Sequence, residues 1–420
     1  MRRILLLMAT RTYRARAFMR AAGRLGARVT VGTERRNALA RAAPGTTLAL
    51  TFREPLQAVE QIAAFHASMP IDIIVGVDDD STLLAAMAAE RLGLPHNAVD
   101  AVRATGNKAL MRRLLADAGA PSPWYATIPL ADDPAAVARR VPYPCVVKPI
   151  FLSASRGVIR ADTPDTFVSA VHRLRAILED PEVAAAGGDD ARRYLVEAFI
   201  PGIEVALEGM LIGGALKVLA IFDKPDPLDG PYFEETIYVT PSRHSEDEQR
   251  SIVDATGRAA EALGLREGPV HAELRLNANG AWVVEIAART IGGLCSDTLE
   301  FSGGRSLEDL VLLHAIGGDV THVEREPEPS GVMMLPIPAR GVLRAVSGID
   351  DARAVEGIVD LTISIPIGDE VVPLPDGNRY LGFIFARGNT PAAVEASLRE
   401  AHRQLRIAIE PAYAAPLAGL

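Results

Sequence analysis

Two glutamates, Glu273 and Glu285, stand among apolar neighbours on either side of an Asn279-Gly280 turn signal. The stretch reads as two β-strands, residues 271–276 and 282–286, joined by a tight turn. A two-residue Asn-Gly loop would set Glu273 against Ile286 and put the carboxylates on opposite faces. A three-residue loop, Ala278-Asn279-Gly280 with Gly280 left-handed at a bulge, sets Glu273 across from Glu285. Like charges in that register need a cation between them. Two hard oxygen ligands suit Mg²⁺, whose remaining positions substrate phosphates can fill. Arg289 and the Gly292-Gly293 pair follow directly, adding a cation and pliant backbone. For the hairpin taken alone, the plain alternative is two solvated surface glutamates.

Other residues point to the same kind of chemistry. Lys148 lies near the end of a short apolar strand, residues 143–149, and a lysine there must meet an anion or lose its proton. The loop after it carries Ser153, Ala154, Ser155 and Gly157, small enough to bring amides and hydroxyls close to phosphate oxygens. Small residues are also common in loops that bind nothing. Lys108 opens a helix over 108–118, where the dipole disfavours a cation, so it hints at a ligand. A strand over 194–200 stops at Pro201-Gly202, leaving backbone groups from Ala198 to Ile200 for an adenine edge. Glu197 precedes that break, and Glu204 follows it where it could accept from a ribose hydroxyl; ordinary edge-strand charges are the alternative for both. Asp78-Asp79-Asp80 ends a strand over 71–77, where open α/β sheets bind ligands. Asp80 reads as the cap of the next helix, and Asp78 as the residue facing a cleft. Residues 222–243, rich in Pro and Asp, read as a mobile loop over a site, with Lys224, Glu234 and Glu235 as candidate substrate contacts.

These residues need elements to hold them. Strands over 4–8, 28–31 and 71–77 alternate with helices over 14–25 and 81–92, which implies a parallel sheet covered by helices. No G-x-G-x-x-G follows the first strand, so a dinucleotide site is unsupported. Hairpin strands over 203–211 and 215–222, a helix over 246–263 and a helix over 307–316 come next. A charged, Pro-rich linker over 324–330 leads to a β-rich unit with strands over 363–367, 370–372 and 380–387 and a closing helix over 391–405. At 420 residues the chain is long enough for about two to four domains. A net charge of −9 argues against general nucleic-acid binding, which needs a basic surface. Two cysteines, Cys145 and Cys295, make no disulfide framework; Cys295 has no paired histidine and reads as a packing or pocket-lining residue. The apolar run 4–9 after Arg2-Arg3 is too short for a signal-peptide core and reads as a first strand. No run nears the ~20 apolar residues of a membrane span, and the expected location is the cytoplasm.

In order, the chain carries a helix-opening lysine (Lys108), a strand lysine with a small-residue loop (Lys148 to Gly157), and an E-A-F-I-P-G hinge with Glu204. Paired glutamates and an arginine (Glu273, Glu285, Arg289) complete the series. This resembles the ATP-grasp superfamily over nearly the whole chain, most closely its carboxylate–amine ligases of the L-amino acid ligase and carnosine synthase type. The resemblance implies an α/β and α+β multidomain fold. Its parts would be a Rossmann-like N-terminal domain (1–104) and a two-lobed ATP-grasp domain (105–320, small lobe about 120–200, large lobe about 201–320). A β-rich C-terminal domain (331–420) similar to that of biotin carboxylase would follow. It implies that Lys108, Lys148, Ser153, Ser155 and Gly157 bind ATP phosphates, that Glu197, Ala198, Phe199 and Ile200 line the adenine, and that Glu204 takes the ribose. Glu273 and Glu285 would hold Mg²⁺, with Mn²⁺ as the alternative, while Arg289 and Lys148 act in catalysis. The family's Glu-x-Asn-Pro-Arg pattern stands here as Glu285-Ile286-Ala287-Ala288-Arg289, so the usual asparagine ligand is replaced. The implied reaction joins a small carboxylate and an amine through an acyl-phosphate, in a chain expected by analogy to form a homodimer. ATP-dependent carboxylation and nucleotide binding without catalysis are the alternatives.

Overall fold

The computed structural model describes residues 2–10, 12–35 and 45–411, so residues 412–420 of the expected C-terminal domain lie outside it. Two compact units each draw on separated stretches of chain. The first comprises Met1–Ser122, Val205–Ile221 and His244–Glu326; the second comprises Pro123–Glu204, Phe222–Arg243 and Pro327–Leu420. Among the described residues no helix is long and apolar enough to cross a membrane.

The first unit begins with a parallel sheet of β1 (Arg3–Leu7), β2 (Arg28–Thr33), β3 (Thr47–Ala49) and β4 (Ile73–Gly76), in the order β3-β2-β1-β4. β1 is apolar almost throughout because a parallel strand is covered on both faces, and Ile4, Leu5, Leu6 and Leu7 are fully buried. Helices α1 (Ala15–Arg24), α2 (Pro55–Ser68) and α3 (Asp79–Leu92) alternate with the strands. The strand order reverses between β1 and β4, the place where such sheets open a ligand crevice. α3 starts earlier than its sequence suggests. Asp78, not Asp80, is the capping residue, and its N–H donates to the Ser81 hydroxyl at 3.1 Å. Ser81 decides the matter: its hydroxyl can reach back three residues, which fixes the cap at Asp78 and leaves Asp80 inside the helix.

The same unit holds an antiparallel layer ordered β13-β12-β9-β10, with β9 (Ile203–Ile212), β10 (Ala215–Asp223), β12 (Gly268–Asn277) and β13 (Gly280–Ala287). The core beneath it takes residues from α4 (Val99–Thr105), α5 (Lys108–Asp117) and α9 (Glu246–Leu263). α9 shows why such a helix forms. Ser245 and Glu248 make a capping box, and Gly264 ends the helix in a left-handed conformation. Ile252, Ala255, Thr256, Ala259, Ala260 and Leu263 form one buried stripe at helical spacing. Burying Ile252 and Leu263 contributes roughly 1.5–3 kcal/mol each. A further helix, α10 (Leu307–Ala315), closes the unit.

In the second unit β5 (Tyr125–Pro129), β6 (Cys145–Pro149), β7 (Ile159–Ala161) and β8 (Arg193–Ala198) form an antiparallel sheet ordered β5-β8-β6-β7. Helices α6 (Pro134–Ala138), α7 (Pro164–Leu178) and α8 (Pro181–Gly187) accompany it, and α7 buries Phe167, Val171 and Leu174. The remainder is β11 (Ile237–Thr240), β14 (Ser330–Leu335), β15 (Gly341–Ser347), β16 (Ile358–Ile363), β17 (Glu370–Val371), β18 (Gly382–Arg387) and β19 (Arg406–Glu410), with α11 (Ile349–Arg353) and α12 (Pro391–Gln404). These strands run in the orders β11-β14-β18-β16 and β17-β15-β19. The strand expected over 363–367 ends at Ile363; Pro366 has no N–H for a ladder. Residues 222–243, expected to form a mobile loop over a site, are tied down at several points. Lys224 is buried, Arg160 donates its amide to Pro231 O at 2.9 Å, and Arg243 bonds Asp223 at 2.8 Å.

Candidate active site

In the first unit, Glu273 on β12 faces Glu285 on β13. Neither anticipated loop produces this register. Asn277 pairs with Gly280, so the turn is the two residues Ala278 and Asn279, with Gly280 at φ 102°. A bulge restores the match: Leu274 pairs with Val283 and Glu273 with Glu285, leaving Val284 as the extra residue. Arg112 of α5 holds the bulge. Its fully buried guanidinium donates to Val283 O at 2.7 Å and Val284 O at 2.9 Å.

Lys108, the first residue of α5, is buried, and its Nζ lies 3.3 Å from Glu285 Oε1. The Asn107 side chain accepts from Leu110 N at 2.9 Å and fixes that end of the helix. His271 pairs with Ala287 across the strands. Its Nδ1 is 3.0 Å from Glu208 Oε2, and its Nε2 is 3.6 Å from Glu273 Oε1. Burial works against the His271 cation, but the bonds to Glu208 and Glu273 outweigh it and raise the imidazole to about 9. Burial likewise pushes the Glu208 carboxyl up, against the bond from His271. Arg289 clamps Asp79 through both oxygens, Nε–Oδ1 at 2.5 Å and Nη2–Oδ2 at 2.9 Å, while Nη1 donates to Thr290 O at 2.9 Å. Burial would lower the Arg289 pKa, yet Asp79 raises it further, so the guanidinium stays charged.

In the second unit, Lys148 on β6 meets Glu197 on β8, with Nζ 2.7 Å from Oε2 and both side chains buried. Glu197 neutralises the strand lysine. The next loop carries Ser153, and it sets Ala154 and Ser155 at φ 54° and 53° and Gly157 at 74°. Left-handed backbone at two non-glycine residues costs on the order of 1–3 kcal/mol each and clusters where function holds it. The loop is fastened by Gly157 N to Pro375 O at 2.8 Å and Arg156 Nε to Asp376 O at 2.9 Å. At the end of β8 the Ala198 amide donates to Trp124 O, and just past it the Phe199 amide donates to Pro144 O, at 2.8 and 3.0 Å. The expectation of open backbone over 198–200 therefore fails for those two amides, because neighbouring segments complete their bonding. Phe199 stacks on Phe233 at 6.4 Å, and the Arg160 guanidinium lies 4.1 Å above its ring. Ile200 follows at the hinge. Glu204 accepts from Lys224 Nζ at 2.8 Å; the same ammonium bonds Glu235 and sits 4.9 Å from the Tyr238 ring. Glu234 is pushed up by burial.

The first unit thus gathers Lys108, Glu273, Glu285 and Arg289, and the second carries the Lys148–Glu197 pair, the 153–157 loop, the stretch Ala198 to Ile200, and the Glu204–Lys224 pair. Sequence reasoning missed Glu208, His271 and Arg112. Glu208 carried a usable signal: a carboxylate in the middle of a strand buried over nearly its whole length demands a partner for the same reason as Lys148. Arg112 had none, because its partners are main-chain carbonyls remote in sequence.

Three families match in succession: the ATP-grasp N-terminal domain over residues 19–96, the ATP-grasp domain over 141–298, and the L-amino acid ligase C-terminal domain 2 over 333–410. The chain thus matches models of the ATP-grasp superfamily over three successive stretches. Within it, an alanine–anticapsin ligase of Bacillus subtilis is 28% identical over 249 residues, covering 56% of this chain and 52% of that protein. Carnosine synthase 1 of Gallus gallus is 29% identical over 250 residues, covering 57% of this chain and 26% of that protein. The matched region is thus about half, or a quarter, of the length of these curated relatives. The crystal structure of an L-amino acid ligase from Bacillus licheniformis superimposes with a TM-score of 0.82 at 24% identity, covering 98% of this chain and 99% of that one. That likeness shows the fold, a mixed multidomain ATP-grasp architecture. The C-terminal region, expected to resemble that of biotin carboxylase, matches the L-amino acid ligase C-terminal domain 2 over residues 333–410.

Proposed function

We propose that this protein is an ATP- and Mg²⁺-dependent carboxylate–amine ligase that forms an amide bond, with an amino acid as at least one substrate. The observation that carries this reading is the Glu273–Glu285 register with Lys108 beside it. Two facing carboxylates are a hard-oxygen donor set that fits Mg²⁺, or Mn²⁺ in its place. When bound, Mg²⁺ and ATP supply charge neutralisation and the phosphoryl group that turns a carboxylate oxygen into a leaving group. The chain's residues do the rest. Glu273 and Glu285 hold the ion, and Lys108 and Lys148 bind phosphate oxygens. Ser153, Ser155 and Gly157 cover the phosphates. Glu197, Ala198, Phe199 and Ile200 line the adenine, and Glu204 takes the ribose. Bringing a carboxylate to a triphosphate crowds negative charge. At 4 Å, two unit charges repel by about 4 kcal/mol at an effective dielectric near 20. The lysines and Arg289 offset that repulsion. Asp79 and Thr290 O hold the Arg289 guanidinium in one orientation while the amine attacks the acyl-phosphate and phosphate leaves.

A phosphate-release screen of the standard amino acids, singly and in pairs, with ATP and Mg²⁺ tests the reading. The expected result is ADP and phosphate together with a product lighter by one water than the two partners. ATP binding without ADP from any pair would overturn it, and ADP formation that needs only bicarbonate would replace it with a carboxylase.

A further inference from the structure

Among the described residues, eight buried side-chain polar atoms have no hydrogen-bond partner, and four of them lie at one place. They are Arg14 Nε and Nη2, Asp78 Oδ2 and Thr290 Oγ1. Buried polar groups are nearly always satisfied, so a cluster of orphans calls for an explanation. Arg14 follows β1 and Asp78 follows β4, at the point where the strand order reverses. Surrounding bonds hold both in place. Arg14 Nη1 donates to Val77 O at 2.8 Å and to Thr290 O at 3.4 Å. Thr12 Oγ1 donates to Asp78 Oδ1 at 2.9 Å and accepts from Arg14 N at 3.2 Å. Thr290 O also accepts from Arg289, so the Arg14 guanidinium stands one carbonyl away from the arginine assigned to the acyl-phosphate.

The pattern of orphans is chemically specific. Nε and Nη2 form the edge of a guanidinium that takes a carboxylate through two parallel bonds, the same edge with which Arg289 grips Asp79. The carboxylate paired with Arg14, Glu308, is 3.9 Å from Nη2, too far for a hydrogen bond. Opposite in character, Asp78 Oδ2 and Thr290 Oγ1 can each accept from an ammonium. We infer that Arg14, Asp78 and Thr290 form a subsite for an α-amino acid zwitterion, its carboxylate on the Arg14 fork and its ammonium on Asp78 and Thr290. Arg14 is only 3% exposed, so entry requires the Thr290 to Gly293 backbone to move, and that stretch lies outside regular structure. This inference rests on the ligase reading for its role, since it locates the amino acid substrate, but not for its test.

The test is equilibrium binding of each of the twenty standard L-amino acids to the full chain without nucleotide, by calorimetry and thermal shift. At least one should bind, and its amide and its des-amino counterpart should each bind at least about tenfold more weakly, as expected when a charge-assisted contact is lost. Asp78→Asn, which keeps shape and cap, should weaken the amino acid about tenfold and leave the des-amino compound unchanged. Arg14→Lys should weaken both. If no amino acid binds the parent, or if both variants bind it as tightly as the parent, the orphans are satisfied by ordered water and the subsite is wrong. Binding that never leads to ADP would instead sink the ligase reading and leave the subsite standing. ADP formation with an unchanged KM in both variants would do the reverse.

Discussion

Replacing Arg112 by Met tests whether the bulge sets the metal site. Arg112 is fully buried and donates two charge-assisted bonds, to Val283 O and Val284 O. Methionine fills much of the same volume, so the cavity contribution is small, but both carbonyls lose a donor, Val283 O in a buried place and Val284 O in a part-buried one. At roughly 1.5–3 kcal/mol for each charged bond, the expected loss is about 3–6 kcal/mol, a large part of the ~5–15 kcal/mol typical of a domain. The second consequence is specific. Without its clamp the bulge can relax, and a one-residue slip turns Glu285 to the other face of the sheet. Urea denaturation followed by fluorescence reads the first effect, and ATP turnover by the folded fraction reads the second. Arg112→Lys, which keeps the charge but not the fork, should fall between the two. If Arg112→Met unfolded within about 0.5 kcal/mol of the parent and turned over ATP undiminished, the bulge would not be what fixes the register.

Three further outcomes follow from particular contacts. Glu285→Gln should lower turnover by roughly 10²–10³-fold, the range for a lost electrostatic group in a transition state; steady-state phosphate release checks it, and activity within a few-fold of the parent would show that Glu285 is no ligand. Lys224→Met removes the ammonium that Glu204 and Glu235 share, and should cost about 3–5 kcal/mol in a denaturant titration; an unchanged midpoint would refute that. Asp309 is pushed up by burial, but bonds from Arg24 and Ser306 outweigh this and hold it below the usual carboxylate range. Its contribution is therefore complete above its unfolded pKa and is lost as pH falls through the lower folded value. Asp309→Asn should be less stable than the parent at pH 7, the gap closing below the ordinary carboxylate range; a gap that stays constant with pH would contradict the assignment.

Much of this architecture can be read where local pattern and packing agree. The stripe of α9, its capping box and Gly264 specify that helix without help from elsewhere. Lys148 was legible because a lysine on an apolar strand must have a counter-charge, and Glu197 supplies it. The hairpin was legible only in its outcome. Its residues allowed two loop lengths, and the chain uses a shorter turn than the favoured one and regains the register with a bulge at Val284. That choice depends on Arg112, roughly 170 positions away, so no local reading could settle it. Asp78 and Asp80 both suit a cap by residue type; Ser81, not the aspartates, distinguishes them. Glu208 and His271 escaped notice because they stand on strands far apart in sequence, and only the pairing of those strands joins them.

The most direct measurement follows oxygen. With the acid substrate labelled by ¹⁸O in its carboxylate, a ligase acting through an acyl-phosphate transfers one labelled atom to the phosphate released with ADP. Mass spectrometry of that phosphate should show one ¹⁸O per turnover. Unlabelled phosphate, or label recovered in AMP, would show that the carboxylate is not activated by phosphoryl transfer and would contradict the account at its centre.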